Sequence, residues 1–569
     1  MALPKNASGV VDNVVTQNIG FGPILKHYFE KTAIAEIIDK NIATDARRKF
    51  LTHGQAAVAL ITGILFQVMQ LYRICRFANK TIVLDVLYPG IDPKEYFDDR
   101  LADTLDAIYD YGIGNLEVEI TRHMIKAHQI LTDICHNDTT SASYYGKAGH
   151  NRDPRSIQIA FGHSKKHRND LKQLVWSMSV SGDCAFPLFQ QAYSGNKADV
   201  STYVEQWMNL IDLLDRKDFL YVGDCKLISK ANVAAICNNE GFFLAPAPMH
   251  KSYADAFESA FADHDHEMLI PYKDRFNRGF EVPLSIDHEG EDYPLRMIIL
   301  FDHEVGRSKR ERLDKKISET HTAFQELEGK LNHRNLKSRD AIEKACDGIL
   351  KKCCTSQYFT YEIINTPVTT YKNKHRGRPP KNKPVEKIAV HTDHFHVQLN
   401  FDSPAYDAAV AKCGYYPLLT NKSLEELSLK DAMLAHKGQY KNEHTFRRAK
   451  GTYELEPIYL HYPERIQAYL FLFKIALQMI VLIERTARQN IEQRNRGLDD
   501  FMPNRYDIRN PKSEFLLKEF EHVVAGLIPT SEGGTQGFVS ELTPVQLDIL
   551  SILEVPAECY SYQYLFDTS

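Results

Sequence analysis

The chain has 569 residues, 43% of them hydrophobic and 25% charged, which matches an ordinary globular protein and excludes a disordered or fibrous one. Its length is too great for one ordinary core, so roughly two to four structural units are expected. The net charge of −5 does not advertise a nucleic-acid partner, so the useful question is where positive charge clusters. The ten cysteines are scattered, with no CxxC pair, which argues against a disulfide scaffold and for a reducing cytoplasm. The N-terminus lacks a basic start followed by an apolar run, so secretion is not expected.

Residues 1–125 read as helical, with apolar spacing over 54–71, 101–111 and 116–130 and little strand character. An apolar run at 130–135 then leads into Asp138, which puts this aspartate at a strand end. Strand-like runs at 174–180 and 186–193 flank the turn signal Ser181-Gly182-Asp183, which predicts a hairpin. A helix over 200–214, a short buried strand over 219–223 ending at Asp224, a helix over 229–237 capped by Ser229 and a strand over 242–247 follow. This order predicts a mixed sheet flanked by helices. Residues 250–425 change character: β-like over 274–302, a charged helical hairpin over 303–352, and a basic loop over 371–383 between further strand-like runs. Ser423 starts a helix, 431–450 reads as a helix with 439–450 on one continuous stretch, and 466–491 as a buried helix because Gln467, Lys474 and Gln478 interrupt its apolar run. Helices are expected again at 513–527 and 544–553.

Asp138 and Asp224 each follow a short apolar run. Two carboxylates held on neighbouring strands repel each other unless a cation lies between them. A hard divalent ion with oxygen ligands meets that need, and phosphodiester chemistry uses such pairs, with two metals about 3.5–4 Å apart. An Asp at a strand end is more often a turn former, so the pair alone is weak. Glu443, Arg447 and Lys450 fall at i, i+4 and i+7, which would put a carboxylate and two cations on one helix face. An ordinary exposed Glu–Arg pair has the same spacing.

The motifs around these residues resemble those of insertion-sequence DDE transposases of the IS-four superfamily, in the branch with a helical N-terminal domain. His136-Asn137-Asp138-Thr139-Thr140-Ser141 with Tyr145-Gly146 resembles the first-aspartate motif. Gly162-His163-Ser164-Lys165-Lys166-His167-Arg168-Asn169-Asp170-Leu171-Lys172-Gln173 resembles the next block, with Asn169 where proline is usual. Tyr221-Val222-Gly223-Asp224 resembles the second-aspartate strand, and Glu443 with Lys450 fits the E-x6-K part of the glutamate motif. The tyrosine and arginine expected before that glutamate are His436 and Gln439 here, with Tyr440 and Lys441 as substitutes to consider.

The resemblance implies an α/β fold: a ribonuclease-H-like mixed sheet core with a large α+β insertion and a helical N-terminal domain. It implies a helical, DNA-end-binding domain at 1–125, a first part of the core at 126–250, an insertion at 251–425, the glutamate helix and core completion at 426–492, and a C-terminal dimerisation region at 493–569. It implies a metal-dependent DNA cleavage and strand-transfer enzyme with Asp138, Asp224 and Glu443 as catalytic and metal-binding residues. Two Mg²⁺ ions, with Mn²⁺ as substitute, would serve each site. The partners would be double-stranded DNA, both the terminal inverted repeats of the element and the target, and a second copy of the chain on paired ends, in a prokaryotic, nucleoid-associated cytoplasmic setting. Lys165, Lys166, Arg168, Lys172, Arg447 and Lys450 are the DNA-binding candidates near the carboxylates. Arg376-Gly377-Arg378-Pro379, inside KNKHRGRPPKNK, resembles an AT-hook core, whose extended Arg-Gly-Arg suits a narrow A·T minor groove. A nuclease of the same fold without strand transfer, and a non-catalytic DNA-binding protein, are the alternatives.

Overall fold

The computed structural model describes residues 15–45, 50–165, 168–262, 267–273, 275–374, 377, 386–503, 505–529 and 535–566. The protein is mixed α/β, with a nine-stranded mixed sheet and many helices. The chain divides into two compact units. The first comprises Met1–Tyr253, Pro283–Arg296 and Leu419–Ser569, and the second Ala254–Val282 and Met297–Leu418.

The first unit opens with a short strand, β1 (Val15–Asn18), where only helix was expected. It pairs antiparallel with Val524–Pro529, a segment predicted as the end of a helix. That helix stops at Lys518, and Val523-Val524-Ala525 finds a strand partner instead, a tertiary preference that local spacing does not reveal. Helices then run from Gly22–Thr32 to Ile113–His128. Helix His53–Leu65 starts at a reciprocal cap in which Thr52 and Gln55 satisfy each other's backbone N–H groups.

The core sheet of this unit comprises β2 (Ile134–Tyr144), β3 (Lys172–Ser181), β4 (Pro187–Ser194), β5 (Leu220–Val222) and β6 (Phe242–Pro246). Their spatial order is β4-β3-β2-β5-β6. The β2–β3 and β3–β4 pairs are antiparallel, and β5 and β6 run parallel to β2. Strand β2 is longer than its apolar run predicted, so Asp138 sits inside the strand and not at its end. The polar run Asn137–Ser143 is stable there because neighbouring polar groups meet it. Ser177 and Ser179 on β3, for example, donate to Asn137 Oδ1 at 3.2 and 3.0 Å.

Helix Pro463–Arg494 forms the spine of the unit. Among the described residues it is long and apolar enough to cross a membrane, yet 94% of its apolar window is buried inside the protein. Its one lysine in that window, Lys474, is fully buried 3.4 Å from Glu117 and donates to Thr121 Oγ1 at 2.5 Å. Glu117 also accepts from the Gln190 backbone N–H on β4 at 2.8 Å, and Gln478 donates to the Pro187 carbonyl at 2.7 Å. One buried polar cluster thus ties an N-terminal helix, the spine helix and the sheet together. Burial raises the Glu117 carboxyl and lowers the Lys474 ammonium, and the charge of each partner opposes the shift of the other.

In the second unit, helices His303–Glu328 and Arg339–Cys353 form the expected hairpin. Phe324, Leu327, Ile342, Cys346 and Leu350 pack against Phe359 and Phe395, which lie on the paired strands Phe359–Asn365 and Phe395–Phe401. The strands Val368–Asn373 and Lys387–Thr392 make an exposed antiparallel ribbon, so the segment read as a basic loop begins as a strand.

Removing one partner of a buried ion pair strands the other charge, which costs about 3–5 kcal/mol. Lys474→Met is therefore expected to lower unfolding stability by about that amount in urea, and Glu117→Gln combined with Lys474→Met to recover most of it.

Candidate functional site

Strands β2 and β5 bring the two aspartates together. Their parallel register pairs His136 with Val222; Asp138 lies two residues further along β2, and Asp224 two residues beyond the end of β5, where it caps the turn Cys225–Leu227. Gly223 makes the approach to Asp224 possible: a Cβ there would meet the Tyr203 ring at 2.8 Å. The Tyr203 hydroxyl donates to Asp224 Oδ1 at 2.6 Å, and the Lys226 backbone N–H donates to the same oxygen at 2.8 Å. Asp138 Oδ1 accepts from the Thr139 N–H at 2.7 Å and lies 3.5 Å from the Lys165 ammonium. Burial raises the Asp138 carboxyl above its ordinary range, and the charge of Asp224 adds to this; Lys165 and the Thr139 N–H oppose it.

Three neighbours that sequence reasoning missed complete this face. Tyr203 holds Asp224, Asp199 pairs with Lys226, and Lys226 sits in the turn that carries the N–H to Asp224. No motif marks Asp199 or Tyr203, because a helix and loop, not sequence proximity, bring them to the site. Lys226 follows Asp224 by two residues, so its nearness was legible.

Glu443 lies on the exposed side of helix Tyr440–Arg447, with Asn442, Thr445 and Phe446 buried beneath it. Contacts on either side align this helix with β2. Gln439 donates to the Asn137 carbonyl at 2.9 Å, and its Oε1 lies 3.2 Å from His136 Nδ1. At the other end, Lys450 donates to Thr140 Oγ1 at 2.6 Å. His136, Asp138 and Thr140 share one face of β2, so Glu443 lies on a helix whose two anchors bracket Asp138 along the strand. Among the described residues, no three His, Cys, Asp or Glu side chains come close enough to hold one metal ion. The structure therefore brings Asp138 and Asp224 within electrostatic reach of each other and leaves Glu443 outside that pair, on the exposed side of its own helix.

The helix expected over 431–450 is broken by a turn at Gly438 and Gln439, where a Cβ on Gly438 would meet His136 Nε2 at 2.7 Å; its second part runs on without a break from α-helix (Tyr440–Arg447) into a π-helical turn (Arg448–Thr452). The preceding helix is Leu429–Lys437, capped by Ser428 and not by Ser423. The π turn lets buried Arg448 pair with Glu484 and Glu514 while Lys450 turns to β2. A single helical face for Glu443, Arg447 and Lys450 is thus replaced by two settings. Arg447 is exposed and Lys450 is engaged with the strand.

Of the expected substitutes, Tyr440 is exposed and Lys441 donates to the Gly182 carbonyl in the β3–β4 turn. His436 is half-buried and His136 buried, and loss of hydration lowers both to about 4, so both imidazoles are neutral at pH 7. Arg168 is engaged with Asp170 at 2.7 Å, and the Lys172 ammonium sits 6.0 Å from the Phe161 ring centre. Lys166, Arg376, Arg378 and Pro379 lie outside the described residues. Gly377 is described and has φ +123°, a conformation that favours glycine.

Residues 14–122 match the family described as a domain of unknown function (DUF4277). The match covers the N-terminal helices and ends before β2. No curated protein matches the chain.

Gln439→Ala would leave the Asn137 carbonyl and His136 without their partner. A loss of about 1–3 kcal/mol in urea unfolding is expected.

Proposed function

We propose that the chain is a DDE transposase, a metal-dependent enzyme that cleaves DNA at the terminal inverted repeats of an insertion sequence and transfers the freed end to a target. The observation that carries the reading is the nearness of Asp138, on β2, to Asp224, just beyond the end of the adjacent parallel strand β5, close enough for the charge of one to raise the carboxyl of the other. Strand order supports it: three antiparallel strands followed by two parallel to the first is the arrangement expected of a ribonuclease-H-like core. The ordered motifs around both aspartates and Glu443 supply the reaction class.

Asp138 and Asp224 fit a divalent cation. Each carboxylate is anchored through Oδ1, and their mutual repulsion is a cost that such a cation removes. When bound, Mg²⁺ would supply activation of the attacking oxygen and stabilisation of the leaving oxygen. Glu443, on the exposed side of its helix, is assigned as the third ligand. Tyr203 and the Lys226 N–H orient Asp224, while Gln439 and Lys450 fix the helix of Glu443 against β2. Arg447 is the exposed cation one turn after Glu443 and is assigned to a phosphate of the DNA end. The basic segment around Gly377 is assigned to duplex DNA outside the cut, with binding that weakens as salt rises. A second copy of the chain would hold the other element end.

The test is cleavage of DNA bearing the element ends in Mg²⁺. Asp138→Asn, Asp224→Asn and Glu443→Gln are each expected to reduce the cleavage rate by at least about a hundredfold with DNA binding retained, and a chelator to do the same to the parent protein. Full cleavage by Asp224→Asn, or in chelator, would contradict the reading.

A further inference from the structure

Lys165 is the cation placed at the carboxylate pair. Its backbone N–H donates to Ser141 Oγ at 3.2 Å, which seats the residue over β2. Its ammonium donates to the Thr139 carbonyl, lies 3.2 Å from Thr139 Oγ1, and stands 3.5 Å from Asp138 Oδ1. The last separation is longer than a direct charge-assisted hydrogen bond, and the Lys165 side chain is 38% exposed. Such a pair is weak and open to exchange. The other lysine of the site, Lys226, has its direct partner in Asp199 and reaches the two aspartates only through longer-range attraction. Asp224 is held by neutral donors, the Tyr203 hydroxyl and the Lys226 N–H.

We propose that Lys165 is an exchangeable counter-cation: it neutralises Asp138 in the metal-free protein and is displaced from that carboxylate when a divalent cation binds. This rests on the metal-dependent reading of the site. A lysine is a compact single charge on a flexible stem, and a divalent cation bridges two carboxylates better than it does. The two compete for Asp138, so metal binding is an ion exchange. The contacts to Thr139 and Ser141 keep the released ammonium beside the pair, where it meets a phosphate oxygen of the DNA. The two carboxylates and the lysine carry a net charge of −1 without the metal and +1 with it, so the site favours the phosphate once the metal is bound, and the cation that guards the carboxylates becomes a positioning group for the substrate.

The test is calorimetric titration with Mn²⁺ in the absence of DNA. Lys165→Met and Lys165→Gln are expected to bind Mn²⁺ about tenfold more tightly than the parent, as the loss of one competing charge within ion-pair distance requires. Lys165→Arg is expected to stay near the parent. Lys217→Met removes the same charge at the opposite end of β5, where Lys217 pairs with Glu240 at 3.9 Å, and is expected to stay within about twofold of the parent. Unchanged or weaker Mn²⁺ binding by both Lys165→Met and Lys165→Gln would overturn the exchange, and so would an equal gain in Lys217→Met. Failure of every protein to bind Mn²⁺ would instead overturn the metal-dependent reading, and the exchange with it.

Discussion

The structure depends on one electrostatic constraint, the placement of two carboxylates near each other at neighbouring parallel strands. Asp138 lies on β2 and Asp224 just past the end of β5, and burial raises the Asp138 carboxyl while Asp224 adds to the cost. A fold bears such a cost where each charge is held in place by donors and where a cation can arrive. Both conditions are met: Tyr203 and two backbone N–H groups grip the Oδ1 oxygens, and Lys165 lies at the pair.

The rest of the first unit holds that arrangement rigid. The spine helix Pro463–Arg494 carries Lys474 into a buried cluster with Glu117 and Thr121, while Gln478 reaches the carbonyl of Pro187 at the start of β4. Near its far end Glu484 takes Arg448, which fixes the turn after the glutamate helix. Gln439 fixes the other end of that helix to β2. Positioning of Glu443 is therefore a property of two anchors and a buried helix, more than of its own contacts.

Much of the core was legible because its elements obey simple periodicities. The hairpin about Ser181-Gly182-Asp183, the strand leading to Asp224 and the Ser229 cap are local features, and each has its structural counterpart. Non-local effects were not legible. Asp138 lies inside β2 because serines on β3 satisfy the polar run, and those partners are some forty residues away. The strand at Val524–Pro529 exists because β1 lies beside it, over five hundred residues earlier. The π turn after Arg447 follows from where Arg448 and Lys450 find partners. Among site residues, Asp138 and Asp224 were readable from motif and spacing, while Tyr203, Asp199 and the anchoring role of Gln439 required the fold.

The central claim is that this pair of carboxylates cuts DNA and joins it again. The most direct measurement supplies the protein with Mg²⁺, a DNA carrying the flanks of its own gene, in which the account requires inverted repeats, and a target plasmid, and sequences the products. The account requires breaks at the outer ends of the repeats and junctions in which those 3′ ends are joined to the plasmid. Breaks without junctions would make the protein a nuclease, and bound but uncut DNA would contradict the account altogether.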